Sequence, residues 1–267
     1  MIELFDANIQ STVENIKTKE IPRRVVLEVG IGGSSSPFLN GQNIEDYKDA
    51  HLIRTDIFTG EESEEERKYK AEKFGGFAGS GNIVLARKFD KVLLDRSADV
   101  FKGDIEYINC EANKIPVDDN SVDEIFIANV FSAPGFRSQD KGKILREFRR
   151  VLKSGGELVF AETYTPQCAL DNAYRDSDRK VFEKAINEYV AMLVAVSGLE
   201  LKAVEFPKFS KVADTRREKG LSCEKFLSQY QYGKKFFGVD FLPSPARPDP
   251  DYKFIVVLSK KQSSAEE

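Results

Sequence analysis

The sequence predicts an α/β fold built on a parallel sheet. Short, β-branched and nearly continuous apolar segments recur along the chain, and amphipathic segments lie between them. Strands that are covered on both faces have this continuous apolar character. A chain of 267 residues, 41% of them hydrophobic, is long enough to enclose such a sheet in one large domain.

Seven apolar segments are predicted strands. Five of them alternate with helical patterns in the first part of the chain, and two follow near its end. In chain order they are 24–30, 51–57, 105–110, 122–129, 156–162, 200–206 and 252–259.

Helical periodicity appears in three places between these strands. Segment 142–155 has apolar residues at helical spacing, segment 178–197 repeats the pattern, and the charge-dense Glu61–Glu72 is a predicted solvated helix. The predicted helix at 142–155 carries basic residues on the side opposite to its apolar residues, at Arg146, Arg149, Arg150 and Lys153. We interpret this basic side as a solvated surface, with a phosphate-binding surface as the alternative.

Two segments interrupt the alternation of strands and helices. They span about 57–104 and 208–251, and we interpret them as insertions in a single domain covering 1–267. The second is rich in aromatic residues, including Tyr230, Tyr232, Phe236 and Phe237. It either packs on the sheet or forms a lid over an aromatic or lipophilic ligand.

Composition excludes several classes of protein. The net charge of −4 supplies no positive field for nucleic acid or an anionic membrane. The longest apolar run, Tyr189 to Val196, is far shorter than the roughly 20 residues that cross a bilayer. The first ten residues lack the pattern of a secretory signal, so we expect a cytoplasmic protein.

Histidine and cysteine are scarce. The chain has one histidine, His51, and three separated cysteines, Cys110, Cys168 and Cys223. This content argues against a multi-histidine metal site and a disulfide framework, and no metal is predicted. We interpret His51 as structural and Cys110 as a small apolar residue of a strand.

A glycine-rich turn directly follows the first strand. The stretch Val25–Ser36 reads VVLEVGIGGSSS, with Glu28 two residues before Gly30 and a further glycine at Gly32. Glycines allow positive φ and let a ligand approach main-chain atoms where a strand turns into a helix. The dinucleotide fingerprint would need glycine where the chain has Ser35, which argues against a nicotinamide-dependent oxidoreductase.

This turn resembles the first motif of the class I S-adenosylmethionine-dependent methyltransferases, E/D-x-G-x-G-x-G, with Ser34 in place of the third glycine. The resemblance implies that Glu28, Gly30 and Gly32 bind the cofactor, S-adenosyl-L-methionine. It also implies an acid after the second strand that binds the cofactor ribose. Asp56 is preferred because its distance from the turn leaves room for one helix, and Asp95, at the end of KVLLD, is the alternative.

Later segments continue the resemblance in the family's order, over roughly 22–165. Glu111 and Ala112 match positions near the adenine. Asn129 lies where the family faces the methionine part of the cofactor, and a strand-end cap is the alternative role for it. Asp119 and Asp123 are interpreted as turn-forming acids rather than catalytic bases. The segment RVLKSGG resembles the turn before the family's fifth strand, with Ser154 in place of proline.

The resemblance implies a Rossmann-like fold: a seven-stranded, mostly parallel sheet with an antiparallel last strand and helices on both faces. It implies methyl transfer from S-adenosyl-L-methionine to an unidentified, small-molecule acceptor. The chain lacks the N/D-P-P-Y/F motif of enzymes that methylate amino groups of bases, which argues against a nucleic-acid acceptor. No catalytic residue is assigned. The alternative hypothesis is a methyltransferase-like binding protein without turnover.

Overall fold

The predicted strands pair side by side in one sheet. The computed structural model describes residues 23–32, 44–74, 80–128, 130–131, 138–164, 179–205 and 252–262. All seven predicted strands are confirmed, with bounds within a few residues of those expected. They are β1 (Val25–Val29), β2 (His51–Asp56), β3 (Asp104–Asn109), β4 (Val122–Ala128), β5 (Leu152–Tyr164), β6 (Glu200–Glu205) and β7 (Tyr252–Ser259).

The sheet has the order β3-β2-β1-β4-β5-β7-β6. Neighbouring strands from β3 to β5 run parallel, whereas β7 is antiparallel to both β5 and β6. This arrangement confirms the expected Rossmann-like fold with a mostly parallel sheet. The order reverses beside β1, since the chain goes from β1 to β2 and β3 on one side and then crosses to β4 on the other. Ligands in open α/β sheets bind at such a switch point.

Helices cover both faces of the sheet. They are α1 (Glu64–Phe74), α2 (Ser80–Arg96), α3 (Ser138–Val151) and α4 (Arg179–Ser197), with a short 3₁₀ helix at Ile44–Tyr47. The helices predicted at 61–72, 142–155 and 178–197 correspond to α1, α3 and α4. None of the helices among the described residues is long and apolar enough to cross a membrane.

The core lies in two layers, one on each face. Leu27, Ile125 and Leu158 pack with buried residues of α3 and α4 on one face. On the other face, residues such as Val26 and Leu52 pack with the 3₁₀ helix and the end of α2. Alternate residues of β1 and β2 therefore face opposite layers, as expected of doubly covered strands.

Segment Lys91–Asp95, the alternative second-strand end, is not a strand. It lies in the last turns of α2, so the sequence KVLLD has helical rather than extended conformation. Its apolar residues Leu93 and Leu94 pack against the core layer beneath β2. Short apolar segments are ambiguous between helix and strand, and here packing on the sheet decides.

Helix α3 ends at Val151, four residues before the end of the predicted segment 142–155. The amides of Asn120 and Ser121 donate to the carbonyls of Arg150 and Val151, at 3.0 and 2.9 Å. These bonds satisfy helix-end carbonyls and let β5 begin at once with Leu152. Gly155, with φ of 78°, instead lies within β5, where the register between β4 and β5 shifts between Leu152 and Glu157.

Candidate functional site

The carboxyl ends of β1, β2 and β3 meet at one edge of the sheet. Gly30 and Gly32 follow β1, Asp56 ends β2, and Glu111 and Ala112 follow β3. Because β2 pairs with both β1 and β3 in parallel, these residues are brought to the same edge. The predicted site residues that the structure describes therefore lie at the switch-point end of the sheet. Glu28 lies within β1, two residues before Gly30.

The glycine turn needs glycine at its first position for two reasons. Gly30 has φ of 68°, and a Cβ atom there would overlap Cγ2 of Val130, just beyond β4. The Gly30 amide donates to the Thr55 carbonyl over 2.8 Å, which holds the turn against β2. Gly32 has φ of 51°, but a Cβ atom there would have none of the described residues within 4 Å. The open side of Gly32 leaves room for a ligand to approach the main chain.

Asp56 links the glycine turn to the end of β2. Its Oδ2 accepts a hydrogen bond from the Gly32 amide and its Oδ1 accepts one from the Phe58 amide, both at 3.0 Å. Burial raises the pKa of Asp56 above its usual value, although these amides oppose the shift. Asp95, the other candidate, is exposed on α2. Asp56 is thus the acid that contacts the turn.

The segment after β3 lies beside Asp56. The Cys110 amide donates to the Asp56 carbonyl over 3.0 Å. Glu111 and Ala112 follow Cys110 directly in the chain. Glu111 is exposed and lies 3.3 Å from Nζ of Lys73 at the end of α1. Burial, with the charges of Asp56 and Glu147, raises the pKa of the Cys110 thiol to about 11. A thiol with that pKa stays protonated at neutral pH and is a poor nucleophile.

Hydrogen bonds from α3 hold the loop that follows Glu111 and Ala112. Arg150 donates to the carbonyls of Ile115 and Val117, at 2.8 and 2.9 Å, and to both carboxylate oxygens of Glu147. Oε1 of Glu147 accepts from the Ile115 amide over 2.7 Å. The interpretation of the basic side of α3 as solvated is therefore wrong for Arg150, because its guanidinium group donates hydrogen bonds to carbonyls of the loop after β3.

The acids of this region have structural partners. Asp119 accepts from Arg150, and Asp123 accepts from Lys153 and from the Val25 amide, at 2.5, 2.7 and 2.8 Å. These contacts agree with a structural role for both acids. They also show Lys153 paired with Asp123 rather than solvated.

Glu28 belongs to a buried charge network beneath the glycine turn. Its Oε2 accepts from Nε of Arg54 over 2.6 Å, and Arg54 also donates to Asp90 of α2. The Tyr107 hydroxyl of β3 donates to the same Asp90 oxygen. The carboxylate of Glu28 therefore contacts a buried guanidinium of the protein.

Sequence reasoning missed Arg54, Asp90 and Tyr107. One signal was available, since HLIRTDI places an arginine inside a strand whose continuous apolar character predicts burial. Such an arginine requires buried acidic partners. The sequence does not reveal which acids these are, because Asp90 comes from a helix 36 residues further along.

Several predicted features fall outside the described residues. They are Asn129, Ser34, Ser35, the aromatic segment around 230–237, Cys168 and Cys223. His51 lies at the start of β2, the opposite end of the strand from Asp56, with Nε2 3.2 Å from Oε2 of Glu106.

A model of the methyltransferase domain family matches residues 27–160, half of the chain. The matched region begins in β1 and ends in β5, so it contains the glycine turn, Asp56 and Glu111. The chain belongs to this family. It is a family of S-adenosyl-L-methionine (SAM)-dependent methyltransferases, and the resemblance inferred from the sequence is confirmed.

Two curated relatives illustrate the similarity. A demethylmenaquinone methyltransferase of Listeria welshimeri is 32% identical over 167 residues, which are 59% of this chain and 66% of that protein. A ubiquinone/menaquinone biosynthesis C-methyltransferase of Idiomarina loihiensis is 38% identical over 101 residues, 36% of this chain and 38% of that protein. The chain thus spans just under two thirds of the length of the first of these methyltransferases.

A solved SAM-dependent methyltransferase structure from Methanosarcina mazei matches 94% of this methyltransferase-family chain and 98% of its own chain. The sequence identity is 14% and the TM-score is 0.48.

Proposed function

We propose that the protein transfers a methyl group from SAM to a small-molecule acceptor. The observation that carries this proposal is the contact between the Gly32 amide and Asp56 Oδ2, 3.0 Å apart, at the edge where β1 and β2 end. It joins the two motif positions that the family resemblance associates with the cofactor. The contact lies beside the reversal of strand order, where α/β sheets bind ligands.

The residues at this edge have the chemistry that SAM requires. A carboxylate can accept hydrogen bonds from two neighbouring hydroxyl groups, and Asp56 would hold the ribose in this way. Its lone pairs are not exhausted by the amides of Gly32 and Phe58. The open side of Gly32 admits the ligand to the main chain. Glu111 and the Ala112 amide would contact the adenine, and Asn129 and Glu28 stay predictions for the rest of the cofactor.

SAM supplies a methyl group on a positively charged sulfur, and transfer to a nucleophile releases S-adenosyl-L-homocysteine (SAH). The role of the chain is to hold cofactor and acceptor in line and to exclude water, which can supply much of the rate acceleration. We assign no covalent role to Cys110, because its thiol pKa of about 11 keeps it protonated at neutral pH.

The acceptor class that we propose to test first is a hydroxylated aromatic ring of the quinol type. The two curated relatives are a demethylmenaquinone methyltransferase and a ubiquinone/menaquinone biosynthesis C-methyltransferase, which supports this choice. An ionised ring hydroxyl makes the neighbouring ring carbon nucleophilic, so such an acceptor can activate itself, and after methyl transfer that carbon would lose its proton to solvent as the aromatic ring is restored. This chemistry would not require a strong base from the protein.

Calorimetric titration with SAM, SAH and NAD tests the cofactor. We expect SAM and SAH to bind and NAD not to bind. Asp56→Asn should weaken SAH binding at least about tenfold, since a hydrogen-bonded charge is lost. Asp95→Asn is the matched control, because it removes the other candidate acid from an exposed helix position, and it should leave the affinity unchanged. Failure of the wild-type protein to bind SAM or SAH would contradict the proposal.

Transfer of a labelled methyl group from SAM to a panel of quinols, phenols and amines tests the reaction. Methylation of a quinol, absent in Asp56→Asn at low SAM concentration, supports the proposed function. Binding of SAM without transfer to any acceptor would favour the alternative, a methyltransferase-like binding protein.

A further inference from the structure

Arg54 is an arginine without access to solvent inside the sheet. Its side chain is 0% exposed, and the side chains of its partners Glu28 and Asp90 are 5% and 2% exposed. A buried guanidinium is strongly destabilising unless acids and hydrogen bonds compensate for its lost hydration. Here Nε donates to Glu28 and Nη1 donates to Asp90, so opposite sides of the guanidinium hold different elements.

The network connects four elements directly under the candidate cofactor site. Glu28 comes from β1, Arg54 from β2 and Asp90 from α2, while Tyr107 of β3 donates its hydroxyl to Asp90. The Arg54 guanidinium also lies 5.7 Å from the centre of the Tyr107 ring. Removing one partner would leave an uncompensated buried charge, so the members stabilise each other's positions.

Two residues of the network, Glu28 and Arg54, lie close in sequence to the residues of the candidate site. Glu28 is two residues before Gly30 and Arg54 is two residues before Asp56, and Glu28 and Arg54 are paired in the register of β1 and β2. Alternate residues of a strand share a face, so Arg54 and Asp56 lie on the same face of β2. The Glu28–Arg54 pair therefore joins β1 and β2 two residues before the glycine turn and Asp56.

We propose that Arg54, held by Glu28 and Asp90, is a positioning residue for SAM binding, because it keeps the glycine turn aligned with Asp56. The network acts without contact between Arg54 and the ligand. This inference rests on the proposed function, since it assumes that Gly32 and Asp56 bind SAM. It assigns Glu28 an indirect contribution to the cofactor site through Arg54.

A second buried acid provides a matched control at the other end of the sheet. Glu124 of β4 accepts from one arginine, Arg24, and from one tyrosine hydroxyl, that of Tyr47 over 2.7 Å. Asp90 likewise accepts from one arginine, Arg54, and one tyrosine, Tyr107, although both bonds go to its Oδ2 while Glu124 uses both of its oxygens. Glu124 is near the start of β4 and pairs with Val26 near the start of β1, far along the strand from Gly30. The two acids differ in their distance from the site and in the burial of their arginine, since the Arg24 side chain is 36% exposed and that of Arg54 is 0% exposed.

The experiment compares Asp90→Asn with Glu124→Gln by thermal unfolding and by SAH titration. Both substitutions should lower the unfolding temperature, because each leaves a buried hydrogen-bond network short of its charge. Only Asp90→Asn should weaken SAH binding, by roughly 10-fold or more, as expected for a residue that orients a binding group. Equal SAH affinity in the two variants would overturn the inference.

A milder pair covers the case in which Asp90→Asn does not fold. Tyr107→Phe and Tyr47→Phe each remove one hydroxyl donor and keep the ring, and only Tyr107→Phe should weaken SAH binding, by about 3-fold. Exchange of the Gly32 amide proton, followed by NMR in the absence of ligand, should be faster in Tyr107→Phe only. Unchanged affinity and exchange would overturn the inference while leaving the proposed function intact. Failure of the wild-type protein to bind SAH would instead overturn the proposed function, and the positioning role with it.

Discussion

Asp56 is an acid that the fold makes costly to ionise. Burial raises its pKa, although the amides of Gly32 and Phe58 each donate a hydrogen bond to its carboxylate. A ligand that donates hydroxyl groups to the ionised carboxylate would replace the hydration lost on burial. This is a physical reason for a diol to bind at this residue.

The affinity for SAH should fall at mildly acidic pH. The ionised form of Asp56 accepts hydroxyl hydrogen bonds better than the protonated form, and its pKa is raised from 3.8. The decline should therefore begin at a higher pH than for an ordinary aspartate. Titration of SAH between pH 4 and 8 measures this, with Asp56→Asn as a control whose weaker affinity should not show the same decline. A flat wild-type profile would contradict a role for the ionised carboxylate.

The two glycines of the turn should respond differently to alanine. Gly30→Ala combines positive φ with overlap of Val130, whereas Gly32→Ala meets only the backbone strain of positive φ, roughly 1–2 kcal/mol. Gly30→Ala should therefore lose more stability in urea unfolding. Adding Val130→Ala should recover part of that loss in the Gly30→Ala protein. No difference between the two glycine variants would show that Val130 does not restrict the turn.

At the level of single residues, the sequence predicted the position of a residue best where that residue belongs to a motif. The structure has Asp56 at the end of β2 and the glycines directly after β1, as the order of motifs predicted, and their binding of SAM stays a prediction. Arg54 was visible as a charge in an apolar strand, but its partners were not. Ion pairs between distant segments depend on three-dimensional packing, and local patterns do not encode them.

Among the connections between elements, the turn from β2 to α1 is organised by Glu62. Its carboxylate accepts from the Thr59 amide over 2.5 Å, the Gly60 amide over 3.0 Å and Nζ of Lys70 over 2.9 Å. Burial alone would raise the pKa of Glu62, but the bonds from Lys70 and Thr59 outweigh it and lower the pKa from 4.5 to about 2.

The stabilisation due to Glu62 should disappear in acid. Because the folded pKa lies below the unfolded value of 4.5, this contribution is present above pH 4.5 and is lost as the pH falls to about 2. The difference in unfolding free energy between wild type and Glu62→Gln, measured by urea at several pH values, should shrink across that window. Glu61→Gln, at an exposed neighbouring position, should show a much smaller difference from wild type. A Glu62→Gln difference independent of pH would argue against ionisation as the cause.

Lys260, directly after β7, binds the end of α3. Its ammonium donates to the carbonyls of Arg149 and Leu152 and to Oδ1 of Asn120, at 2.8, 2.7 and 2.6 Å. Cations at helix carboxyl ends are stabilising, because the helix dipole is negative there. This contact ties the last described strand to the helix on one face.

Lys260→Met should reduce the unfolding free energy by about 1–2 kcal/mol, since the carbonyls of Arg149 and Leu152 and Oδ1 of Asn120 lose a charged donor. Lys261→Met is a suitable control, because the Lys261 side chain is 82% exposed and lies 3.8 Å from Glu200. Its effect should stay within about 0.5 kcal/mol, as for most surface changes. Chemical unfolding of both variants measures the difference, and equal losses would rule out the capping role.

The sequence predicted which helices and strands exist better than it predicted where each one begins and ends. The end of α3 was misplaced because bonds from Asn120 and Ser121, in another connection, stop the helix before its glycines. Segment Lys91–Asp95 was considered as the end of the second strand because KVLLD ends in an acid and stands closer to the following motif, but it is helical. In both cases a contact from elsewhere in the chain determined the local conformation.

For the molecule as a whole, the proposed ligand should stabilise the folded state. A ligand at 100 times its Kd that binds only the folded chain adds about 2.7 kcal/mol. For a protein of this size that corresponds to a rise in unfolding temperature of roughly 5–10 °C. Thermal unfolding with SAH measures the rise, and NAD at the same concentration should leave the temperature unchanged. An equal rise with both compounds would contradict selective binding of SAH.

The architecture was the most predictable feature. Seven continuous apolar strands, in the order of the family's motifs, indicated the sheet, and the structure confirms its parallel part and its antiparallel strand. This agreement has a physical basis, because hydrophobic patterning is repeated along the whole chain and local errors average out. The acceptor does not follow from such patterning, since it depends on particular side chains around a site.

The position of β7 has a consequence for synthesis on the ribosome. β6 pairs with β7 and β7 pairs with β5, yet β7 is translated 47 residues after β6 ends at Glu205. At about 5–20 residues per second, roughly 2–9 seconds separate these two strands during translation. If the earlier strands fold before β7 is made, β5 would have an unpaired edge and β6 would lack the strand it pairs with. Slow codons between these strands would lengthen this exposure, so the timing of translation can affect how much of the newborn protein aggregates.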